Sequence, residues 1–229
     1  MPNIVETGFF ATEPLYIPNR VSMNVAAPGA PTVEITDLQS LIDFYEPQLL
    51  INAFGITYYN ELQIALTLQP FDPGAVGVAD QKWIDLVNGH TYEIDGVEYM
   101  FEGLKGRNNN SLIAWYVKAM YLYGRDEVVT TLGVGKLQGK GAEARTHTNK
   151  FVRAWQNFMS LYQAVDSRTA SIALNDFGTV GLDFTAGRNN VRSLYQYFLD
   201  LAQYVDDTRF PDLNFAVVPL EESYNSFGI

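Results

Sequence analysis

One segment of the sequence is apolar around the full circumference of a helix. Residues 111–123 read Ser-Leu-Ile-Ala-Trp-Tyr-Val-Lys-Ala-Met-Tyr-Leu-Tyr, with Lys118 as the single charged residue. A surface helix would alternate apolar and polar positions with a period of 3.6 residues, whereas this segment has hardly any polar face. We therefore expect residues 111–123 to form a central helix that other elements surround, which favours a fold built from packed helices.

Composition indicates a folded chain and excludes several kinds of site. The 229 residues are 47% hydrophobic and 18% charged, which excludes a disordered chain, and 14% aromatic, which indicates aromatic packing in the core. No apolar run reaches the roughly 18 residues of a membrane span, and the first residues lack the pattern of a secretion signal. We therefore expect no export by a classical signal, no membrane span and no membrane partner, and the compartment stays open with cytoplasm as the default. Because the sequence has no cysteine, disulfides, thiolate metal sites and cysteine nucleophiles are excluded.

The region before the central segment has helical periodicity. Thr36 and Gln39 fit a capping box ahead of apolar residues at helical spacing, which predicts the start of a helix. Pro47 is expected to kink or break this helix, or to begin a second one. The apolar face continues to Gly55, and a third helical segment is predicted over residues 58–66.

The remaining periodic segments predict a hairpin and three more helices. A short helix is expected over residues 79–88, followed by a β-hairpin over about residues 90–102 because alternating residues flank Asp95-Gly96. Apolar stripes over residues 151–165 and 191–205 predict two amphipathic helices. The predicted fold class is mainly α, a helical bundle with an inserted β-hairpin, an extended N-terminal arm and an irregular C-terminal tail.

Both ends of the chain combine prolines with large apolar residues. Residues 1–34 contain five prolines and no helical period, so we expect an extended arm that docks on its own body or on a neighbour. Residues 35–206 form the predicted helical body, and residues 207–229 form a C-terminal docking tail. Large aromatic residues dominate interface energetics, so the candidate interface residues are Phe9, Phe10, Tyr16, Phe215 and Phe227. Alanine at Phe9 and Phe10 is expected to weaken assembly and leave the fold intact.

Charge is distributed unevenly along the chain. Residues 1–104 hold 14 acidic and 2 basic residues, a net charge of −12, whereas residues 105–229 carry +1, which gives −11 overall. This balance argues against a free-standing nucleic-acid binder. A Gly-rich loop over about residues 132–147 is nevertheless basic. Its Lys136, Lys140 and Arg145 are candidate contacts to DNA or to the acidic part of a neighbouring copy, and an ordinary solvated loop is the alternative.

The sequence offers no motif for a catalytic, cofactor-binding or metal site. His90 and His147 each lack a second histidine at ligand spacing, and the Gly-rich segment 133–141 fails the phosphate-loop templates. Adjacent acidic pairs also lack the spacing of a calcium loop. We therefore expect no enzyme, no cofactor and no metal. A small hydrolase with carboxylates that the fold brings together, and a monomeric binding module, stay open as alternatives.

The order of aromatic and turn motifs in residues 36–124 is similar to that of a viral protein family. These motifs are Phe44–Leu50, Gly55, Tyr58–Leu62, Trp83–Gly89, Tyr92, Gly96, Phe101–Leu104 and Ser111–Val117. In this region the chain resembles the head-to-tail connector proteins, also called neck ring or adaptor proteins, of tailed phages of Bacteroidetes, including the crAss-like group.

The resemblance implies a structural virion protein and no enzymatic activity. It implies a subunit that assembles with other copies, as a dodecamer, into a ring that seals the neck between portal and tail and lets DNA pass. The implied partners are the portal protein, tail or second ring proteins and, transiently, packaged DNA. The implied location is the neck or tail of the virion, after assembly in the host cytoplasm. Another tail-completion or capsid-associated protein is the alternative within this class.

Overall fold

The fold is mainly α with a small sheet. The computed structural model describes residues 2–17, 38–107, 110–124, 128–130, 133–135, 147–163, 190–205 and 209–211. Its α-helices in these ranges are α1 (Leu38–Leu66), α2 (Gln81–Asn88), α3 (Leu112–Gly124), α4 (His147–Tyr162) and α5 (Leu194–Asp200). Its strands are β1 (His90–Ile94), β2 (Val97–Phe101), β3 (Val128–Thr130), β4 (Gly133–Gly135) and β5 (Val191–Arg192). A 3-10 helix spans Thr7–Phe10, and a π-helical turn, Leu201–Val205, follows α5.

Helix α3 lies at the centre of the core, as its sequence predicts. Residues 111–117 are all buried, and only Tyr123 of residues 111–123 is exposed. The apolar stripe of α4 packs along α3, where the Tyr116 ring lies 5.1 Å from that of Phe158 and 6.4 Å from that of Trp155. Helix α1 packs on the same helix, with 6.2 Å between the rings of Tyr45 and Tyr116. The prediction of a helix surrounded by protein is confirmed.

Helix α1 is interrupted at Gly55. Gly55 has φ 80° and ψ 163°, a conformation that residues with a side chain rarely adopt. Pro47 lies inside the helix. The sequence predicts up to three helical segments in this region, with a kink or break at Pro47. The structure has two helical stretches, and the break between them is at Gly55.

The predicted hairpin is confirmed. Strands β1 and β2 pair antiparallel, with Thr91 opposite Met100 and Glu93 opposite Glu98. Asp95 and Gly96 connect them with φ values of 52° and 80°, the left-handed pair that a tight two-residue turn requires. Strand β5 adds to β2 in parallel, so β2 lies in the middle of the three-stranded sheet.

Helix α5 begins later than the stripe of residues 191–205 predicts. Val191 and Arg192 form β5, and Ser193 then caps the helix. The Ser193 hydroxyl accepts a hydrogen bond from the Gln196 backbone N–H at 3.3 Å, while the Gln196 side chain accepts one from the Ser193 N–H at 3.4 Å. Pairing with β2 keeps the first two residues extended, and this capping box starts the helix after them.

Described elements lie at both ends of the predicted Gly-rich loop. Residues Gly133–Gly135 form β4, which pairs antiparallel with β3, and α4 already begins at His147. Strand pairing provides hydrogen-bond partners for backbone groups that a loop would leave to solvent. No helix of the described ranges has the length and apolarity needed to cross a membrane.

Candidate interaction surfaces

The N-terminal segment, residues 2–17, docks on its own chain. It is a compact run of turns and a 3-10 helix rather than an extended arm. Five of its side chains are at most 6% exposed and belong to the main hydrophobic core: Ile4, Val5, Phe10, Leu15 and Ile17. The sequence leaves open whether this segment docks on its own body or on a neighbour. Residues 2–17 dock on their own body. Residues 18–34 of the predicted arm lie outside the described residues.

A buried carboxylate fixes this segment to α1. Glu46 is 1% exposed, and its two carboxylate oxygens accept hydrogen bonds from the backbone N–H groups of Ile4 at 2.7 Å and Val5 at 3.2 Å. Burial raises the pKa of Glu46 to about 7. The two backbone hydrogen bonds lower this pKa, and the nearby Asp43 carboxylate raises it further, but burial is the largest effect. Glu46 thus joins two segments that are 40 residues apart in sequence.

The three described interface candidates differ in exposure. Phe10 is fully buried in its own core, Phe9 is partly buried against that core, and Tyr16 is 45% exposed. Phe10 has no free surface to offer a neighbour while residues 2–17 occupy this position, so, against the expectation from the sequence, we expect its replacement to destabilise the fold. Tyr16 is the described candidate with exposed aromatic surface. Phe215 and Phe227 lie outside the described residues.

The start of the C-terminal tail also docks on its own chain. Arg209 donates a hydrogen bond through Nη1 to Oδ2 of the buried Asp85 on α2 at 2.7 Å. The Phe210 ring packs 5.5 Å from that of Trp83 and 5.2 Å from that of Phe198. His90 Nε2 lies 3.7 Å from the same Asp85 oxygen, but burial lowers the His90 pKa, so the imidazole is neutral at pH 7.

A third buried carboxylate, that of Asp200, joins α5 to the hairpin. Asp200 Oδ2 accepts hydrogen bonds from the Tyr92 hydroxyl at 2.7 Å and from Arg192 Nε at 2.8 Å. Burial, together with this bond, raises the pKa of Tyr92. The fully buried Tyr197 lies beside them, with its ring stacked 4.4 Å from that of Phe101, and burial raises the pKa of its hydroxyl as well. These groups hold elements together, since the Asp200 carboxylate is occupied by a cation and a hydroxyl of the same chain.

The outer end of the hairpin carries exposed acidic residues, which we call the acidic hairpin: Glu93, Asp95 and Glu98. Glu93 and Glu98 are directly opposite each other on β1 and β2, and all three are exposed. No ion pair within the described residues involves any of them. Like charges directly across a strand pair destabilise it, so this surface costs the isolated chain stability.

Helix α4 presents an exposed polar stripe that we call the α4 basic face: Lys150, Arg153, Gln156 and Ser160. Residues 147–163 contain no acidic residue, and the described part of the chain pairs neither cation with a carboxylate. Lys118 lies near both cations and donates a hydrogen bond to the Pro14 carbonyl oxygen. Burial lowers the Lys118 pKa; Glu13 opposes that shift, while the charges of Lys150 and Arg153 lower it further.

The predicted basic contacts Lys136, Lys140 and Arg145 lie outside the described residues, so the α4 basic face is the described part of that basic region. Sequence reasoning missed three buried carboxylates, Glu46, Asp85 and Asp200. Within the described ranges, no group of three or more histidine and acidic residues is arranged to hold a metal ion.

Comparison with protein-family models, curated proteins and solved structures finds no match to this chain.

Proposed function

We propose that this protein is a structural subunit of a head-to-tail connector ring of a tailed phage, located between portal and tail, where it seals the neck and lets DNA pass. The observation that carries the proposal is the position of the resembling motifs in the fold. They cover α1, α2, the hairpin and α3, which follow one another along the chain and contribute buried residues to one hydrophobic core. Their aromatic residues Trp83, Tyr92 and Phe101 are buried. The resemblance thus concerns a folded unit rather than scattered positions.

Surface charge is consistent with a subunit that contacts other proteins. The acidic hairpin and the α4 basic face are exposed patches of opposite sign on one chain, and such patches orient subunits in an assembly. The buried carboxylates, in contrast, are occupied by backbone N–H groups, arginines or a tyrosine of the same chain.

The test is the assembly state of the full-length protein, alone and co-expressed with the portal protein of the same genome. Native mass spectrometry and negative-stain microscopy should find a closed ring, with about twelve copies of the 25.7 kDa chain, either alone or on the portal. A protein that stays monomeric under both conditions and does not co-purify with the portal contradicts the proposal.

A monomeric binding module is the second candidate, and one observation favours it. Residues 2–17 and 209–211 dock on their own chain, as a compact monomer requires. Limited proteolysis of the dilute, monomeric protein distinguishes the candidates together with the mass measurement. Resistance of both ends combined with a monomer at every concentration would favour the binding module.

A further inference from the structure

The two charged surfaces of the described residues fit each other in sign and in spacing. We propose that the α4 basic face of one copy docks on the acidic hairpin of a second copy, which makes a head-to-tail contact between subunits. This inference rests on the proposed function and deepens it, because it assigns the surfaces through which neighbouring subunits meet.

The spacing of the charges matches on the two sides. Glu93 and Glu98 are direct cross-strand partners, so their Cβ atoms are about 5 Å apart. Lys150 and Arg153 are separated by three residues on a helix, which places their Cβ atoms about 5–6 Å apart on one face. The carboxylates of Glu93 and Glu98 can therefore pair with Lys150 and Arg153 of a second copy at the same time. Asp95, in the turn, adds a third acidic group at the edge of this contact.

Both surfaces are exposed faces that the described residues of a single copy leave uncovered. The hairpin packs on its own chain through its other face, where Tyr92 and Phe101 contact Tyr197. Helix α4 likewise packs on α3 through the buried Phe158, whereas Lys150 and Arg153 are exposed. A neighbouring copy would relieve the repulsion between Glu93 and Glu98 and that among Lys118, Lys150 and Arg153.

The contact joins two different surfaces of the same chain. Each copy presents one acidic and one basic surface, so every copy can bind one neighbour on either side. A contact of this kind forms a ring when the rotation between copies closes, and a filament when it does not.

A nucleic acid is the other polyanion that a basic surface can bind, and it fits less well. The α4 basic face has two cations, Lys150 and Arg153, and the nearby Lys118 already donates to Pro14. Duplex binding at physiological salt generally uses more phosphate contacts, on the order of 6–10. A chain of net charge −11 also repels DNA over longer distances.

The test uses charge reversal in the full-length protein. The acidic hairpin is reversed by Glu93→Lys with Glu98→Lys, and the basic face by Lys150→Glu with Arg153→Glu. Each double variant should weaken self-association at least about tenfold, measured by sedimentation velocity at about 0.05 M NaCl. The quadruple variant, which has the original net charge, and an equimolar mixture of the two double variants should both regain association.

Two controls separate the contact from general effects of charge and folding. Glu6→Lys with Asp80→Lys changes net charge as much as the hairpin reversal does, but at exposed acids that form no ion pair within the described residues, and should leave association within about twofold. Glu93→Gln with Glu98→Gln removes the cross-strand repulsion. It should raise the melting temperature and still weaken association, so a loss of association cannot then be assigned to unfolding.

The outcomes distinguish this contact from the proposed function. A ring that all these variants form as well as the original protein overturns the contact and leaves the ring in place. Failure of the original protein to associate, alone or with the portal, contradicts the proposed function and the contact together. Binding of a duplex of about 30 base pairs that is lost only in the Lys150→Glu, Arg153→Glu variant, while association is unchanged, assigns the basic face to nucleic acid instead.

Discussion

Glu46 is the residue at which the N-terminal segment is tied to the body. Its carboxylate is buried, and two consecutive backbone N–H groups, of Ile4 and Val5, donate to it. These bonds satisfy donors that would otherwise be buried without a partner. Burial nevertheless disfavours the charged form by more than the bonds favour it, so the pKa rises from its ordinary 4.5 to about 7.

This raised pKa predicts a pH dependence of stability with a definite sign. Between pH 4.5 and about 7, the folded protein binds a proton at Glu46 that the unfolded chain has lost. The contribution of Glu46 to the free energy of unfolding is therefore fully present below pH 4.5 and is lost as pH rises to about 7, on the order of 3 kcal/mol in all. Glu46→Gln removes this contribution. The difference in the free energy of unfolding between the original protein and the variant, measured by urea denaturation, should therefore shrink by about 3 kcal/mol from pH 4.5 to 8.

The matched control for this prediction is Glu6→Gln, an exposed residue of the same segment. It should alter the free energy of unfolding by less than about 0.5 kcal/mol at every pH, because its side chain is in solvent. A constant difference between the original protein and Glu46→Gln across this pH range would show that Glu46 does not bind its proton as argued.

Helical spacing contains a signal for Glu46 that sequence reasoning did not use. Ile42, Glu46, Leu49 and Ala53 recur at steps of four, three and four, so the glutamate falls on the apolar stripe of the predicted helix. A charged residue on such a stripe is either exposed by a break or buried with partners. The partners of Glu46 are Ile4 and Val5, which lie 42 and 41 residues earlier in a segment that has no periodicity. No local pattern in the sequence predicts that contact.

Among the elements, the N-terminal segment is where the sequence prediction changes most. A proline-rich run with large apolar residues indicates docking, but its composition is the same whether the segment docks on its own chain or on a neighbour. The described residues place Phe10, Leu15 and Ile17 in the core of their own chain. Stability of the monomer, rather than assembly alone, is therefore expected to depend on this segment.

Phe10→Ala tests this conclusion. Because Phe10 is fully buried, the variant should lose about 3–5 kcal/mol of unfolding free energy through lost apolar burial and a residual cavity. Tyr16→Ala, at a half-exposed position of the same segment, should lose about 0.5 kcal/mol or less. Urea denaturation of both variants at a concentration where the protein is monomeric measures the difference. Unchanged stability with weakened assembly in Phe10→Ala would instead return Phe10 to the interface role that sequence predicts.

Elements with local signals were predicted correctly, and those that depend on distant partners were not. The hairpin follows from alternation around Asp95-Gly96, and α3 from its uniform apolarity, because both signals lie within a few turns of chain. Strand β5 is two residues long and pairs in parallel with β2, some 90 residues earlier. The periodicity of residues 191–205 therefore predicted helix where the sheet requires an extended chain. The Asp85–Arg209 ion pair was not predicted either, because no local sequence pattern links two residues 124 positions apart.

At the scale of the whole molecule, charge acts in opposite directions on folding and on association. Residues 1–104 carry a net charge of −12, and the described ion pairs offset little of it, so the folded chain repels itself. Between copies, the proposed contact pairs the acidic hairpin with the α4 basic face, which is an attraction. Salt screens both, because the Debye length falls from about 14 Å at 0.05 M to about 4 Å at 0.5 M.

Raising NaCl from about 0.05 to 0.5 M should therefore stabilise the monomer and weaken its self-association. We expect the melting temperature of the dilute protein, followed by tryptophan fluorescence, to rise by about 2–5 °C as repulsion within the chain is screened. The dissociation constant from sedimentation velocity should rise at least about tenfold over the same range. Association through apolar surfaces would behave differently, because salt leaves such contacts unchanged or strengthens them. A melting temperature and an association constant that rise together would thus contradict the charged contact, and would direct attention to exposed aromatic surface such as Tyr16.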